Sequence, residues 1–282
     1  METLKTIKNR IRTVDSIIKA TKAMKMVATV KLSKINSLNS MSKQCAEALF
    51  DILSKAINEA RFKQIIDHDS WLSDRCGKKL LIILSMDQGF CGAFNQSIID
   101  MSKHAVSELN PDYIEVFGKK AKHIENSINK IKTNRTITSR TDIDEFSEVL
   151  SMLTFEYIKD FEVSEVHVVS GEFKNVLVQK ARLLNVFPMA IDSSKETEFT
   201  EIEGDKLEFI ESAFKIYLSK LYKGLVTEHL VSEYSARVMA MDNSVRNAND
   251  MFEKLNALYN RIRQGKITQE LTEIVSSVEC VQ

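Results

Sequence analysis

The sequence predicts an α/β fold of a particular plan: long N- and C-terminal helices paired as an antiparallel coiled coil, with an α/β domain inserted between them. Three observations carry this. Of 282 residues only 8 are Gly and 2 are Pro, and the first of either is Gly77. Apolar residues recur in steps of three and four at both ends of the chain, the period of a helical seam. Between the ends, near-continuous apolar runs alternate with helix-period stretches, as in a sheet covered by helices. The expected boundaries are 1–60 for the N-terminal helix, 61–204 for the inserted domain and 205–282 for the C-terminal helix.

The N-terminal seam reads Ile7, Ile11, Val14, Ile18, Thr21, Ala28, Leu32, Ile35 and Leu38, then Cys45, Leu49, Ile52 and Ala56. It stops near "DHDSW" at 67–71. A helix from residue 3 to the high fifties is on the order of 80 Å long. In the middle, "KKLLIILS" (78–85) predicts a buried strand, "FNQSIIDMSKHAVSEL" (94–109) a helix and "YIEVFG" (113–118) a strand. Residues 129–142 are basic and turn-rich, and predict a loop or short strand. Glu145 to Phe161 predicts a helix. "EVHVVSGEF" and "NVLVQKARLL" predict two strands, placed as a hairpin.

The C-terminal helix opens on Asp205 as N-cap, with Glu208 three residues on, a capping-box pattern. Its seam runs Leu207, Ile210, Phe214, Tyr217, Leu221 and Leu225, then from Val231 through Tyr234, Val238, Met241, Val245, Ala248, Phe252, Leu255 and Leu258 to Ile262. Only Gly224 and Gly265 interrupt it. A continuous helix here is on the order of 100 Å long. Helices of such length need a partner, because packing supplies most helical stability.

Charge is uneven. Residues 1–40 hold nine Lys or Arg and two acids, 9 − 2 = +7, and residues 225–282 hold six basic and eight acidic, 6 − 8 = −2. Lys5, Lys8, Arg12, Lys19 and Lys22 form one stripe. A nucleic-acid grip is not favoured, since no aromatic precedes Phe50. No stretch approaches the roughly 18 apolar residues of a membrane span, and no apolar signal-peptide core is present. Cys45, Cys76, Cys91 and Cys280 have no metal-ligand spacing and read as reduced and structural. The five histidines form no metal motif, and no nucleophile elbow or P-loop occurs. The loop "SMDQGFCGAFN" (85–95) stands where α/β sheets bind ligands. Gly89 and Gly92 do not make a phosphate-binding pattern, so a structural turn is the better reading.

Within "KATKAMKMVATVKL" (19–32), the seam direction leaves Val27 nearly opposite, with Met24, Met26 and Val30 well to the sides. Either another part of the chain covers them or a partner protein encloses this level. After Ile262, the residues Ile267, Leu271, Ile274, Val275 and Val278 have no helix to pair with, and need an outside wall.

Residues 7–34, "IKNRIRTVDSIIKATKAMKMVATVKLSK", and 232–277, from "SEYSARVMAM" to "ITQELTEIVSS", resemble the two terminal signatures of the gamma subunit of F-type ATP synthase. "SMDQGFCGAFN" is similar to that family's central S-x-D-x-G-x-C-G-x-x-N. The resemblance implies a Rossmann-like inserted domain and no active site or cofactor. It implies a central rotor shaft, coupling proton flow to ATP synthesis at beta subunits and regulating ATPase activity. The implied partners are a hexameric ring of alpha and beta subunits, an epsilon subunit and the c-ring, with one copy of this chain per complex. Nucleic acid is not among them, and no part of the chain spans the membrane. The implied location is peripheral, on the cytoplasmic side of the inner membrane, and the N-terminus starting at the signature favours a bacterial chain.

By the same resemblance, Met24 and Lys25 face an acidic loop of beta, and Arg237 is coupled to that segment. Arg263, Gln264, Thr268 and Glu270 match positions that hydrogen-bond to the ring. Ala93, where the family commonly has Gly, is a departure expected to bear on the turn, and Glu279 puts a charge in a tail that is usually neutral.

Overall fold

A computed structural model describes residues 3–62, 77–86, 88–118, 143–191 and 205–279. The elements are α1 (Leu4–Phe62), β1 (Lys78–Leu84), α2 (Phe94–Leu109), β2 (Tyr113–Phe117), α3 (Ile143–Asp160), β3 (Val163–Phe173), β4 (Gln179–Phe187) and α4 (Lys206–Glu279). The chain forms two compact units. One comprises Met1–Thr29 with Val238–Gln282, and the other Val30–Arg237. The helices α1 and α4 contribute to both.

The unit of residues 30–237 is built on a four-stranded sheet of order β2-β1-β3-β4. β1 pairs in parallel with β2 and β3, while β4 returns antiparallel to β3. The pleat sorts β1 into two cores: Leu80, Ile82 and Leu84 face one side, and Leu81 and Ile83 the other. The first side is covered by α3, by Leu53, Ala56 and Ile57 of α1, and by α4 residues from Ile210 to Leu230. The second is covered by α2, through Phe94, Ile98, Ile99 and Ala105. In this unit α1 and α4 run antiparallel. Glu59 pairs with Lys206, Phe50 meets Tyr217, and Lys31 lies over Tyr234. Rising numbers on one helix meet falling numbers on the other.

Local chemistry explains the element ends. Asp205 Oδ1 accepts the N–H of Leu207 at 2.9 Å and of Glu208 at 3.4 Å, the expected N-cap. Asn110 takes the left-handed conformation at the end of α2, and its N–H reaches Val106 O. The hairpin differs from expectation at its turn. Residues 175–178 are not strand, because Asn175 Oδ1 accepts the N–H groups of Leu177 and Val178 and folds them into an Asx turn. β4 therefore starts at Gln179 and extends three residues past Leu184. The α3 helix begins two residues before Glu145 and ends one before Phe161.

The seam of α1 also departs from the sequence reading in its second half. Cys45 and Ile52 are exposed, while Ala46 and Leu53 are buried. A straight helix drifts by about 20° per heptad against a 3.5-residue seam, and here α1 packs into a core wider than one partner helix. Cys91 is buried as expected; Cys45 is not. Leu207, in the first turn of α4, is exposed too. The break expected at 67–71, the piece 129–142, Cys76 and Cys280 lie outside the described residues.

The unit of residues 3–29 and 238–279 is a helical pair. Ile7, Val14, Ile18 and Ala28 are buried on α1, and Met241 on α4, with Val245, Phe252, Leu255 and Ile262 half-buried. Lys25 stands opposite Asp242. Counting back along α1 from Lys25 to its first residue, Leu4, is 25 − 4 = 21 residues, and the antiparallel level on α4 is 242 + 21 = 263. Residues 263–276 are all exposed. The pairing ends where α1 begins.

Candidate functional site

Two features of the helical pair stand out. The first is exposed apolar surface among the described residues: Met24, Met26 and Val27 on α1, and Ile267, Leu271, Ile274 and Val275 on α4. Val30, in the other unit, is exposed as well. Met24, Met26 and Val27 lie off the seam, as the helical wheel predicts, and of the two ways left open for covering them the described part of the chain does not supply one.

The second feature is ionic. Lys25 Nζ donates to Asp242 Oδ1 at 2.5 Å, and Arg246 Nη2 meets Asp242 Oδ2 at 2.7 Å. The Lys25 hydrogen bond, ahead of the Arg246 charge, holds the Asp242 carboxyl below the usual carboxylate range. Asp242 and Arg246 were not singled out in the sequence. The available signal was an Asp and Arg four apart on one helix face, but nothing local marks that face as the one opposite Lys25.

Arg237 belongs to the other unit and is buried there. Its Nε donates to Gly89 O at 3.1 Å and its Nη2 to Gln88 O at 3.0 Å. The same Nη2 lies 2.6 Å from Glu233 Oε1, and the guanidinium sits 5.0 Å over the Tyr234 ring. These bonds fix the turn after β1. Phe90 (φ 64°) and Gly92 (φ 57°) are left-handed there, a conformation costly for Phe and free for Gly. Ala93 has φ −77°, ψ −8°, so a side chain in place of Gly is harmless at that position. Next to this turn, Ala236 of α4 joins the core of Cys91 and Phe94, and His229 Nδ1 accepts the Gly171 N–H of β3. Side chains of α4 therefore pack at the strand ends where α/β sheets commonly take ligands. Burial, then the Glu233 charge, raises the Cys91 thiol pKa, with Arg237 opposing; the thiol stays protonated and unreactive.

Arg263, Gln264, Thr268 and Glu270 lie together on the exposed segment 263–276. Thr268 Oγ1 donates to Gln264 O at 3.0 Å, and Lys266 pairs loosely with Glu270 at 3.6 Å. Arg263 has no ion pair among the described residues. Also among the described residues, no His, Cys, Asp and Glu group could hold a metal ion, and no helix is long and apolar enough to cross a membrane.

A family model described as ATP synthase matches residues 3–281. The ATP synthase gamma chain of Clostridium novyi is 34% identical over 207 residues, 72% of each chain. That of Geotalea daltonii is 30% identical over 294 aligned positions, with both chains covered in full. Among solved structures, the fold is shared with a chain of the Euglena gracilis mitochondrial ATP synthase OSCP/F1/c-ring assembly, at TM-score 0.67 and 17% identity, covering 99% of this chain and 94% of that one. A chain of the Tetrahymena thermophila ATP synthase central stalk and c-ring matches at TM-score 0.60 and 19% identity, covering 79% and 98%. With a family match over nearly its whole length and relatives of one kind aligned end to end, the chain belongs to the ATP synthase gamma chain family.

Proposed function

We propose that the chain is the central rotor-stalk subunit of a proton-translocating F-type ATP synthase. It turns within a ring of alpha and beta subunits and couples proton flow to ATP synthesis at beta. The observation that carries this reading is the helical pair. It closes its own seam at Ile7, Val14, Ile18 and Ala28, yet leaves the apolar side chains of Met24, Met26, Val27, Ile267, Leu271 and Val275 exposed. Exposed apolar surface of this kind marks a protein interface. Contacts that are apolar and non-directional let a helix turn against a sleeve, because no hydrogen bond must break to change the angle.

In this reading Met24 and Lys25 meet an acidic segment of the ring. Arg263, Gln264, Thr268 and Glu270 make its polar contacts further along. An Arg fork suits a carboxylate there. Arg237 acts indirectly, by fixing the 88–89 turn against α4. The remaining partners are an epsilon subunit and the c-ring, and the site of action is the cytoplasmic face of the inner membrane. The chain supplies no catalytic group, since the nucleotide chemistry belongs to beta.

The test is reconstitution with the alpha and beta subunits of the same organism. The expected result is a complex with three alpha, three beta and one copy of this chain. Vesicles carrying the whole synthase should make ATP from a pH gradient only when this chain is present. A stable monomer that ignores both subunits, or one that turns over ATP alone, would contradict the proposal.

A further inference from the structure

We infer that His229 is an acid-released latch between α4 and the sheet: its neutral ring fastens α4 to β3, and a proton taken up at Nδ1 on acidification undoes the fastening. The inference concerns the unit of residues 30–237 alone. It goes beyond the rotor-stalk reading and does not depend on it.

Strand β3 outruns its parallel neighbour. The last β1 residue in the ladder, Ile83, stands opposite Val169, while β3 continues to Phe173. Side chains of α4 take two main-chain donors of this overhang. Gly171 N–H donates to His229 Nδ1 at 3.0 Å, and Phe173 N–H donates to Glu228 Oε1 at 3.4 Å. The helix comes this close because residue 171 is Gly. A Cβ there would lie 2.5 Å from Phe94 Cζ and 3.0 Å from Ser232 Cβ. His229 is buried, with its ring centre 5.9 Å from that of Phe94.

The bond tolerates one protonation state. Nδ1 accepts only while it carries no proton, so the neutral ring keeps its proton on Nε2; an imidazolium has two donors and no acceptor. A proton on Nδ1 would set two N–H groups against each other in a buried site. The surrounding charges are already matched. On α4, Glu228 adjoins His229, and Glu233 and Arg237 follow one and two turns on. Glu228 pairs with Arg182 of β4 at 2.8 Å, and Glu233 with Arg237 at 2.6 Å. These four sum to 2 − 2 = 0. From the turn before α2 comes the Cys91 thiol, which burial keeps protonated. On β3, Glu172 alternates to the other face of the sheet. An imidazolium would therefore add an unmatched +1 where water cannot solvate it, which is costly. Arg237, 237 − 229 = 8 residues along the same helix, clamps the 88–89 turn. Its guanidinium stays charged in acid, so acid undoes the latch and spares the clamp.

The experiment is urea unfolding of the full chain at pH 7 and pH 5, wild type against His229→Asn. Asn offers Gly171 N–H an oxygen and does not titrate, and all other acid-sensitive groups are common to both chains. An ordinary histidine titrates near pH 6.5. A folded state that shuts the proton out should therefore raise the unfolding constant of wild type by up to about 20-fold more than that of His229→Asn over this range. In the wild-type chain, the Gly171 amide should lose about tenfold of its protection against hydrogen exchange between pH 7 and pH 5, and the Val169 amide, inside the ladder, should lose less. The same pH dependence in both chains overturns the inference. So does a Gly171 amide equally protected at both pH values, a measurement that decides the matter even where His229→Asn does not fold.

Discussion

Replacing Arg237 by Ala is expected to cost about 3–5 kcal/mol of stability, the range for removing one partner of a buried ion pair. Its side chain is 7% exposed and that of Glu233 2%. The variant leaves the Glu233 carboxylate in a site built around a cation. It also takes donors away from Gln88 O and Gly89 O, which sit just before the left-handed Phe90. A non-glycine residue in that conformation persists only when its surroundings over-determine it, and the guanidinium bonds to the two carbonyls just before it are part of that support. Urea unfolding of the purified chain measures the effect as a lower midpoint. The double variant Glu233→Gln with Arg237→Ala should recover part of the loss, since removing both partners is less costly than stranding one. A single variant within about 1 kcal/mol of wild type would show that the turn does not depend on this clamp.

Most of the fold was legible because its signals are local. The 94–109 helix, the strand at 78 and the Asp205 cap each announce themselves within a few residues. The seam at Ile7, Val14, Ile18 and Ala28 follows from period alone. The same period puts Met24, Met26 and Val27 off the seam, and the structure then shows that no described part of the chain buries them. What could not be read was which chain segments meet. The shift from Cys45 to Ala46 depends on α1 entering a core fed by α3, α4 and the sheet. The partner of Arg237 is a pair of carbonyls 148 and 149 residues away, and backbone carbonyls leave no trace in composition. The partner of Lys25 lies 217 residues away. An Asp and an Arg four apart are common on exposed helices, so Asp242 and Arg246 gain meaning only once the pairing level is known. Comparison with relatives fixed the family.

Phe214→Ala is expected to be as damaging as Arg237→Ala, by a different route. Phe214 is fully buried in the larger core. Its ring lies 6.0 Å from Phe187, 6.3 Å from Tyr217 and 6.4 Å from Phe155. It therefore joins α4 to α3 and to the end of β4. Truncation removes the transfer free energy of the ring and leaves a cavity, together about 3–5 kcal/mol. Phe214→Met should cost only about 1 kcal/mol, because a flexible thioether refills most of the space. Phe90→Ala, at an exposed aromatic, should stay within about 0.5 kcal/mol. Thermal and urea unfolding of the three variants give the ranking. Equal losses for Phe214→Ala and Phe90→Ala would mean that the aromatic cluster does not anchor α4. The consequence reaches beyond stability. Torque carried along α4 reaches the sheet only where α4 packs on it, and Phe214 lies on that face, in the core that α4 shares with α3 and the sheet. In the reassembled synthase, Phe214→Ala should therefore lose ATP synthesis more steeply than it loses complex assembly, since assembly draws on surfaces that the cavity does not touch.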